Sequence, residues 1–158
     1  MKKTRSVMAA LALTTVALLN GVGTAQADPV DSPSSSAAAA APDGYLYAWE
    51  HAGFTGAWCR WAGDDPNWST CQGAGPVINL RNKASSLKNR GYTGAYEDVD
   101  LFWDNADDAE GWDGTRTCMR NGLELDNLTG IYYPYDGRPG QGQSLNDNIS
   151  AHRWSNNC

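Results

Sequence analysis

The chain is short of the residues that most chemistry uses. Its 158 residues include only two histidines, His51 and His152, and neither lies in an H-E-x-x-H or comparable pattern. No G-x-S-x-G elbow occurs, and no cysteine stands with a histidine in a nucleophile signature. With 18 acidic residues, no carboxylate pair is singled out for glycoside hydrolysis. These absences point away from an enzyme. C-x-x-C is missing, which argues against a structural zinc site. Basic residues number 12 and the formal net charge is −6, so the clustered Lys and Arg that nucleic acids and anionic membranes require are lacking. No apolar residues recur with a 3.6-residue period over three turns, which excludes long helices. The apolar run Val7–Leu19 is shorter than the roughly 20 residues that a membrane span takes.

What is present begins with a leader. Lys2, Lys3 and Arg5 precede the apolar run, and Ala25-Gln26-Ala27 offers a small-x-small cleavage site. Residues 1–27 therefore read as a secretory signal peptide, and the mature protein is expected to be extracellular and soluble. Removing the leader takes away three positive charges and leaves a net charge of −9. Residues 28–43, DPVDSPSSSAAAAAPD, are rich in Ser, Ala and Pro and hold no aromatic residue, so they read as a disordered linker. Residues 44–158 carry all four cysteines. An even count in an exported chain implies two disulfides. Three pairings are open; proximity favours Cys59 with Cys71, leaving Cys118 for Cys158.

Domain 44–158 reads as all-β. Short strand-like stretches, 45–50, 57–61, 85–89, 99–103, 115–120, 130–135 and 149–154, alternate with Gly, Asn and Asp turn signals. Single helical turns are expected at 64–68 and 121–128. A repeat organises the domain. Tyr47-Ala48-Trp49-Glu50 matches Leu101-Phe102-Trp103-Asp104, each is followed by aromatic-x-Gly and then by a cysteine, and the stretch 80–86 matches 145–151. Two similar four-stranded units packed face to face would let each cover the other's apolar side.

These residues resemble a known family. Trp49-x4-Phe54-x-Gly56 is similar to the Greek-key signature of βγ-crystallins, in which Gly allows a positive φ at the fold of a hairpin and the aromatic pair packs over it. Ser85 resembles the serine that ties that hairpin. The second unit departs, since Trp103 and Trp112 stand farther apart. The resemblance implies a βγ-crystallin-like sandwich of two Greek-key motifs. Over residues 45–154 the chain more closely resembles secreted actinobacterial proteins of peptidase inhibitor family I36. That resemblance implies a monomeric inhibitor whose partner is a secreted protease, a thermolysin-like metalloprotease being favoured.

The resemblance also implies candidate sites. Thr117-Cys118-Met119-Arg120 is similar to the family's reactive-site stretch Thr-Cys-Val-Arg, although the second cysteine that closes a tight ring there is missing here. Met119 would be the bulky apolar residue that thermolysin-like enzymes favour after the cleaved bond. The family's calcium motif, Asn/Asp-Asn/Asp-x-x-Ser/Thr-Ser, has counterparts at Asn82 and Ser85 and at Asn146, Asp147 and Ser150. Arg81 and Lys83 impair the first, and Ala151 ends the second. The inhibitor reading needs no cofactor, and Ca2+ is the candidate ion. The alternatives are a calcium-binding domain without inhibitory activity and a carbohydrate- or cell-wall-binding module. Glu97 to Asp113 holds eight acids and no Lys or Arg, which reads as a solvated loop, with a loose cation site or a patch for a basic partner as the alternatives.

Overall fold

The computed structural model describes residues 41–71, 77–104 and 112–158. The leader, residues 28–40 of the linker, and Asp107, Asp108 and Glu110 of the acidic segment lie outside them. Seven strands run in chain order: β1 Tyr45–His51, β2 Thr55–Trp61, β3 Ser86–Arg90, β4 Asp98–Phe102, β5 Arg116–Met119, β6 Glu124–Leu125 and β7 Ala151–Ser155. No helix occurs among the described residues.

Two antiparallel sheets form, ordered β2-β1-β3-β6 and β5-β4-β7. Period-two alternation sets their faces. On β1, Leu46 and Ala48 are fully buried. They meet Leu87 of β3, Val99 and Leu101 of β4 and Met119 of β5 in one core. Tyr45, Tyr47 and Trp49 take the other face of β1. There Arg60 lies 4.6 Å from the Tyr45 ring and Lys88 4.0 Å from the Phe54 ring. These cations shield an aromatic ladder in which Tyr47 and Trp49 stack at 5.7 Å. On the corresponding face of β4, Asp100 is buried at 1% exposure under Arg116, Arg153 and Asn157. A carboxylate so enclosed requires its cationic partners.

The units are not the self-contained four-stranded blocks that the repeat suggests, because each half lends a segment to the other's sheet. β6 comes from the second half and pairs with β3 of the first. Asp65 comes from the first half and pairs with His152 of β7 through reciprocal backbone bonds of 3.1 and 2.9 Å. The helical turn expected at 64–68 is therefore an extended bridge. Asp65 precedes Pro66, which drives it out of the helical region. The helical turn expected at 121–128 is replaced by β6, because the Asn121 N–H goes to Asp98 and the Leu123 carbonyl accepts from Asn89. The strand expected at 130–135 reduces to a single bridge, Tyr132 with Ser144. Pro134 supplies no N–H with which to extend it.

Both disulfides join the pairs that proximity favours. Cys59–Cys71 and Cys118–Cys158 have Cα separations of 5.9 and 5.5 Å. The first hairpin folds over at Phe54 and Gly56, with φ of 58° and 81°, and the Phe54 ring stands edge-on to Trp49 at 5.2 Å. The serine that ties it is Ser86 and not Ser85. Ser86 Oγ donates to the His51 carbonyl at 2.7 Å and accepts the Phe54 N–H at 3.1 Å. The one-residue shift follows from the pleat: Ser86 opens β3 fully buried, beneath the folded corner.

Candidate functional site

The stretch Thr117–Arg120 is not a loop. Thr117, Cys118 and Met119 lie in β5, paired with Leu101, Asp100 and Val99. Met119 is 1% exposed and sits in the core. The alternation of β5 turns its side chain inward, so an enzyme cleft cannot reach it in the folded protein. Arg120 alone of the four is exposed.

The next residues form a pinned turn. Leu123 N–H closes it onto the Arg120 carbonyl at 3.2 Å, and Gly122 N–H donates to the Asn89 carbonyl at 3.0 Å. Asn121 donates its backbone N–H to Asp98 Oδ1 at 3.2 Å and its side-chain amide to the Gly91 carbonyl at 2.8 Å. Cys118–Cys158 staples the base of the turn, where Cys158 N–H also reaches Asp98 Oδ2 at 3.2 Å. What this scaffold presents is Arg120 and Leu123, the latter 41% exposed. Its keystone is Asn89, fully buried, whose amide donates to the carbonyls of Glu97 (2.9 Å) and Met119 (3.3 Å) and accepts the Gly91 N–H at 2.9 Å. Sequence reasoning missed Asn89. Its signal was a short amide side chain on a β3 position that points inward.

The calcium-motif residues do come together, crosswise. Asn82 and Asp147 occupy matching places in the repeat, both left-handed with φ of 55° and 58°, a conformation that Asn and Asp tolerate. Each motif's hydroxyl meets the other's Asx. Ser150 Oγ lies 2.8 Å from Asn82 Oδ1 and Ser85 Oγ lies 3.5 Å from Asp147 Oδ1. The two corners differ in chemistry. Ser150 is fully buried and also bonds the Trp103 carbonyl at 2.8 Å, while the Arg81 guanidinium stands 3.4 Å from Asp104. The single Ser150 proton serves only one of the Asn82 and Trp103 oxygens, and that corner has a cationic group beside it. The other offers an exposed Asp147 carboxylate, held by the Asn146 amide at 2.8 Å, with oxygen capacity left over. Calcium takes six to eight oxygens; the Ser85–Asp147 corner offers it a carboxylate and a hydroxyl, whereas the Asn82–Ser150 corner has the Arg81 cation next in the chain.

A buried polar pair joins the halves behind these sites. Trp68 Nε1 donates to His152 Nδ1 at 2.8 Å, and His152 Nε2 faces the Gly63 carbonyl at 2.9 Å. An indole N–H only donates, so Nδ1 is the acceptor and Nε2 carries the proton. Burial pushes the His152 pKa down to about 3, only slightly opposed by the Gly63 bond.

Two sheets that exchange a segment across a repeated Greek key, with the first hairpin returning over its own sheet, define a βγ-crystallin-like domain. The chain is similar to Peptidase inhibitor family I36, whose model matches residues 34–106. This supports a protease inhibitor at family level, and the family is one of inhibitors and not of enzymes. Among solved structures, one from work on the evolution of the eye-lens βγ-crystallin domain fold is 19% identical, covers 71% of this chain and 85% of its own, and has a TM-score of 0.46. A βγ-crystallin from an archaeon is 20% identical over 70% of this chain and 95% of its own, with a TM-score of 0.44. One from Ciona intestinalis is 14% identical over 71% of this chain and all of its own, with a TM-score of 0.43. No curated protein matches the chain.

Proposed function

We propose that this chain is an exported inhibitor of thermolysin-like metalloproteases, with the turn Arg120–Leu123 as the segment it presents. The observation that carries the reading is the match of residues 34–106 to Peptidase inhibitor family I36. The leader motif, Lys2-Lys3-x-Arg5 before an apolar run and Ala25-Gln26-Ala27, supports export. The burial of Met119 moves the apolar residue offered to the enzyme to Leu123, the exposed one of the two. A turn held by a disulfide, Asn89 and Asn121 is ordered before it binds, which lowers the entropy cost of docking and keeps a bond from relaxing into a cleavable geometry. Titrating thermolysin with the purified chain tests this. Residual activity should fall in proportion to the inhibitor added, and unchanged hydrolysis at a large molar excess rejects the metalloprotease target.

A second reading, weak calcium binding, is favoured by the exposed Asp147 beside Ser85. The ion would rest on the Asp147 carboxylate and the Ser85 hydroxyl, cross-linking the two halves of the repeat. At ten times its dissociation constant, calcium would raise stability by about 1.4 kcal/mol. A melting midpoint that is unmoved by 10 mM calcium and identical in Asp147→Ala removes this reading.

A further inference from the structure

Two unfavourable placements converge on one groove, which shares Gly91 with the supports of the pinned turn. Tyr96 lies in the β3–β4 connection with φ of 60°. A bulky side chain adopts that conformation only where its surroundings hold it there, and such outliers gather at functional sites. Here the Tyr96 N–H is held by Asn156 Oδ1 at 2.6 Å. Trp154, on β7, packs its ring against Gly91, where an added Cβ would come within 2.5 Å of it. Its indole Nε1 is buried without a hydrogen-bond partner, an arrangement that lowers stability. Trp154 also packs against the core. Both placements set the position of an aromatic ring.

The rings line two adjoining cavities. One, of 540 Å³, is walled by Asp64, Tyr96, Arg153, Trp154, Asn156 and Asn157. The other, of 260 Å³, has Tyr92, Tyr96 and Trp154 over a floor of Gly44, Ala62, Gly91 and Ala95. Tyr96 and Trp154 are common to both, so they form one open groove of the size that small ligands occupy. Tyr92 and Tyr96 are 67% and 65% exposed.

The polar groups decide the ligand. Arg153 and the Asn157 amide nitrogen are engaged by buried Asp100 at 3.1 and 2.7 Å. Asp64 Oδ1 accepts the Trp154 backbone N–H at 2.8 Å. Left over are the other Asp64 oxygen, the Asn156 amide nitrogen, the Asn157 amide oxygen and the two tyrosine hydroxyls. This set mixes donors and acceptors, with no uncompensated positive charge. It disfavours a phosphate or a carboxylate, and its polarity disfavours an acyl chain. A pyranose answers both halves of the site: one face is apolar C–H surface for the rings, and its rim of hydroxyls both donates and accepts.

We propose that this groove is a saccharide subsite, with a sugar ring lying on Tyr92 and Tyr96 and its hydroxyls bound by Asp64 and Asn156. It would fix the exported chain to a polysaccharide surface, and it does not depend on the inhibitor reading.

The test is a depletion assay of the full chain with insoluble chitin, cellulose and purified bacterial peptidoglycan, followed by tryptophan fluorescence titration with chitotriose and cellotriose. At least one solid should retain the chain, and a matching soluble sugar should shift the emission with millimolar affinity or better. Tyr92→Ala and Asn156→Ala should each weaken binding ten-fold or more. Tyr96→Gly is the discriminating variant. Glycine accepts the left-handed backbone, so the melting midpoint should hold or rise while sugar binding is lost. The proposal falls if no probe binds up to 10 mM, or if Tyr92→Ala and Tyr96→Gly bind as tightly as the parent.

Discussion

Acid should weaken this protein through His152, beginning above the range in which most carboxylates titrate. The ring is fully buried, with its centroid 5.1 Å from that of Trp61 and 5.6 Å from that of Trp68. Its folded pKa is about 3, against 6.5 for an unburied histidine. The unfolded chain therefore takes up a proton near pH 6.5 that the folded chain refuses until about pH 3. Between those limits the unfolded state binds more protons, so stability falls as the pH falls, by at most about 1.4 kcal/mol per unit. Across the whole window the loss approaches about 5 kcal/mol, a large part of the roughly 5–15 kcal/mol that holds a domain together. Urea midpoints measured from pH 7 down to 5.5 report chiefly this proton, because most carboxylates titrate below that range; Asp65, whose pKa burial raises, opposes the loss as it takes up its own proton. His152→Gln is the comparison. A glutamine oxygen can accept from Trp68 Nε1 and its amide can donate to the Gly63 carbonyl. The variant should be less stable at pH 7 and should lose nearly all of the slope between pH 6.5 and 5.5. Equal slopes in the parent and His152→Gln, or an NMR titration of His152 near pH 6.5 in the folded state, would refute the reasoning.

The remaining predictions concern the staples, the core and the turn. On the chain-entropy account, removing Cys118–Cys158, which closes a 40-residue separation, costs about 4 kcal/mol, and removing Cys59–Cys71, with a separation of 12, costs about 3; urea midpoints of the paired Cys→Ala variants check the order. Met119→Ala should cost about 2–5 kcal/mol because its side chain fills the core, and a loss under 1 kcal/mol would contradict its burial. Leu123→Asp should leave the melting midpoint within a few degrees of the parent and abolish inhibition of thermolysin if the turn is what the enzyme meets. Ser86→Ala should cost about 1–3 kcal/mol, read from the thermal midpoint, since it strands the Phe54 N–H and the His51 carbonyl.

Features that depend on local rules were legible in the residues. Trp49 and Phe54 mark a folded hairpin because a corner with positive φ needs Gly56 beside an aromatic cover. Strands β1, β2, β4 and β7 show as short stretches between Gly, Asn and Asp turn signals, and the repeat was visible because matching corners need matching Asn, Asp and Ser. Ser85 and Ser86 were confused because adjacent residues on a strand take opposite faces, and only the pairing register says which lies under the hairpin. Asn89, Trp68 and His152 stayed hidden, since their hydrogen bonds join segments distant in the chain, 84 residues apart for Trp68 and His152. Thr117–Arg120 fits a family motif by letter, while its side-chain directions, with Met119 turned into the core, follow from pairing with β4.

By itself, then, the sequence determined the all-β class, the absence of an enzyme motif, the double Greek-key repeat and the cysteine count, because each rests on periodicity, turn chemistry or residue inventory. The tertiary structure decided that the halves exchange a segment, that Met119 is core and Leu123 surface, and that Tyr92, Tyr96 and Trp154 share a groove. The physical reason lies in the crossing itself. Asp65 and β6 find their backbone partners in the other half of the repeat, and no local rule fixes the partner of an unpaired strand edge.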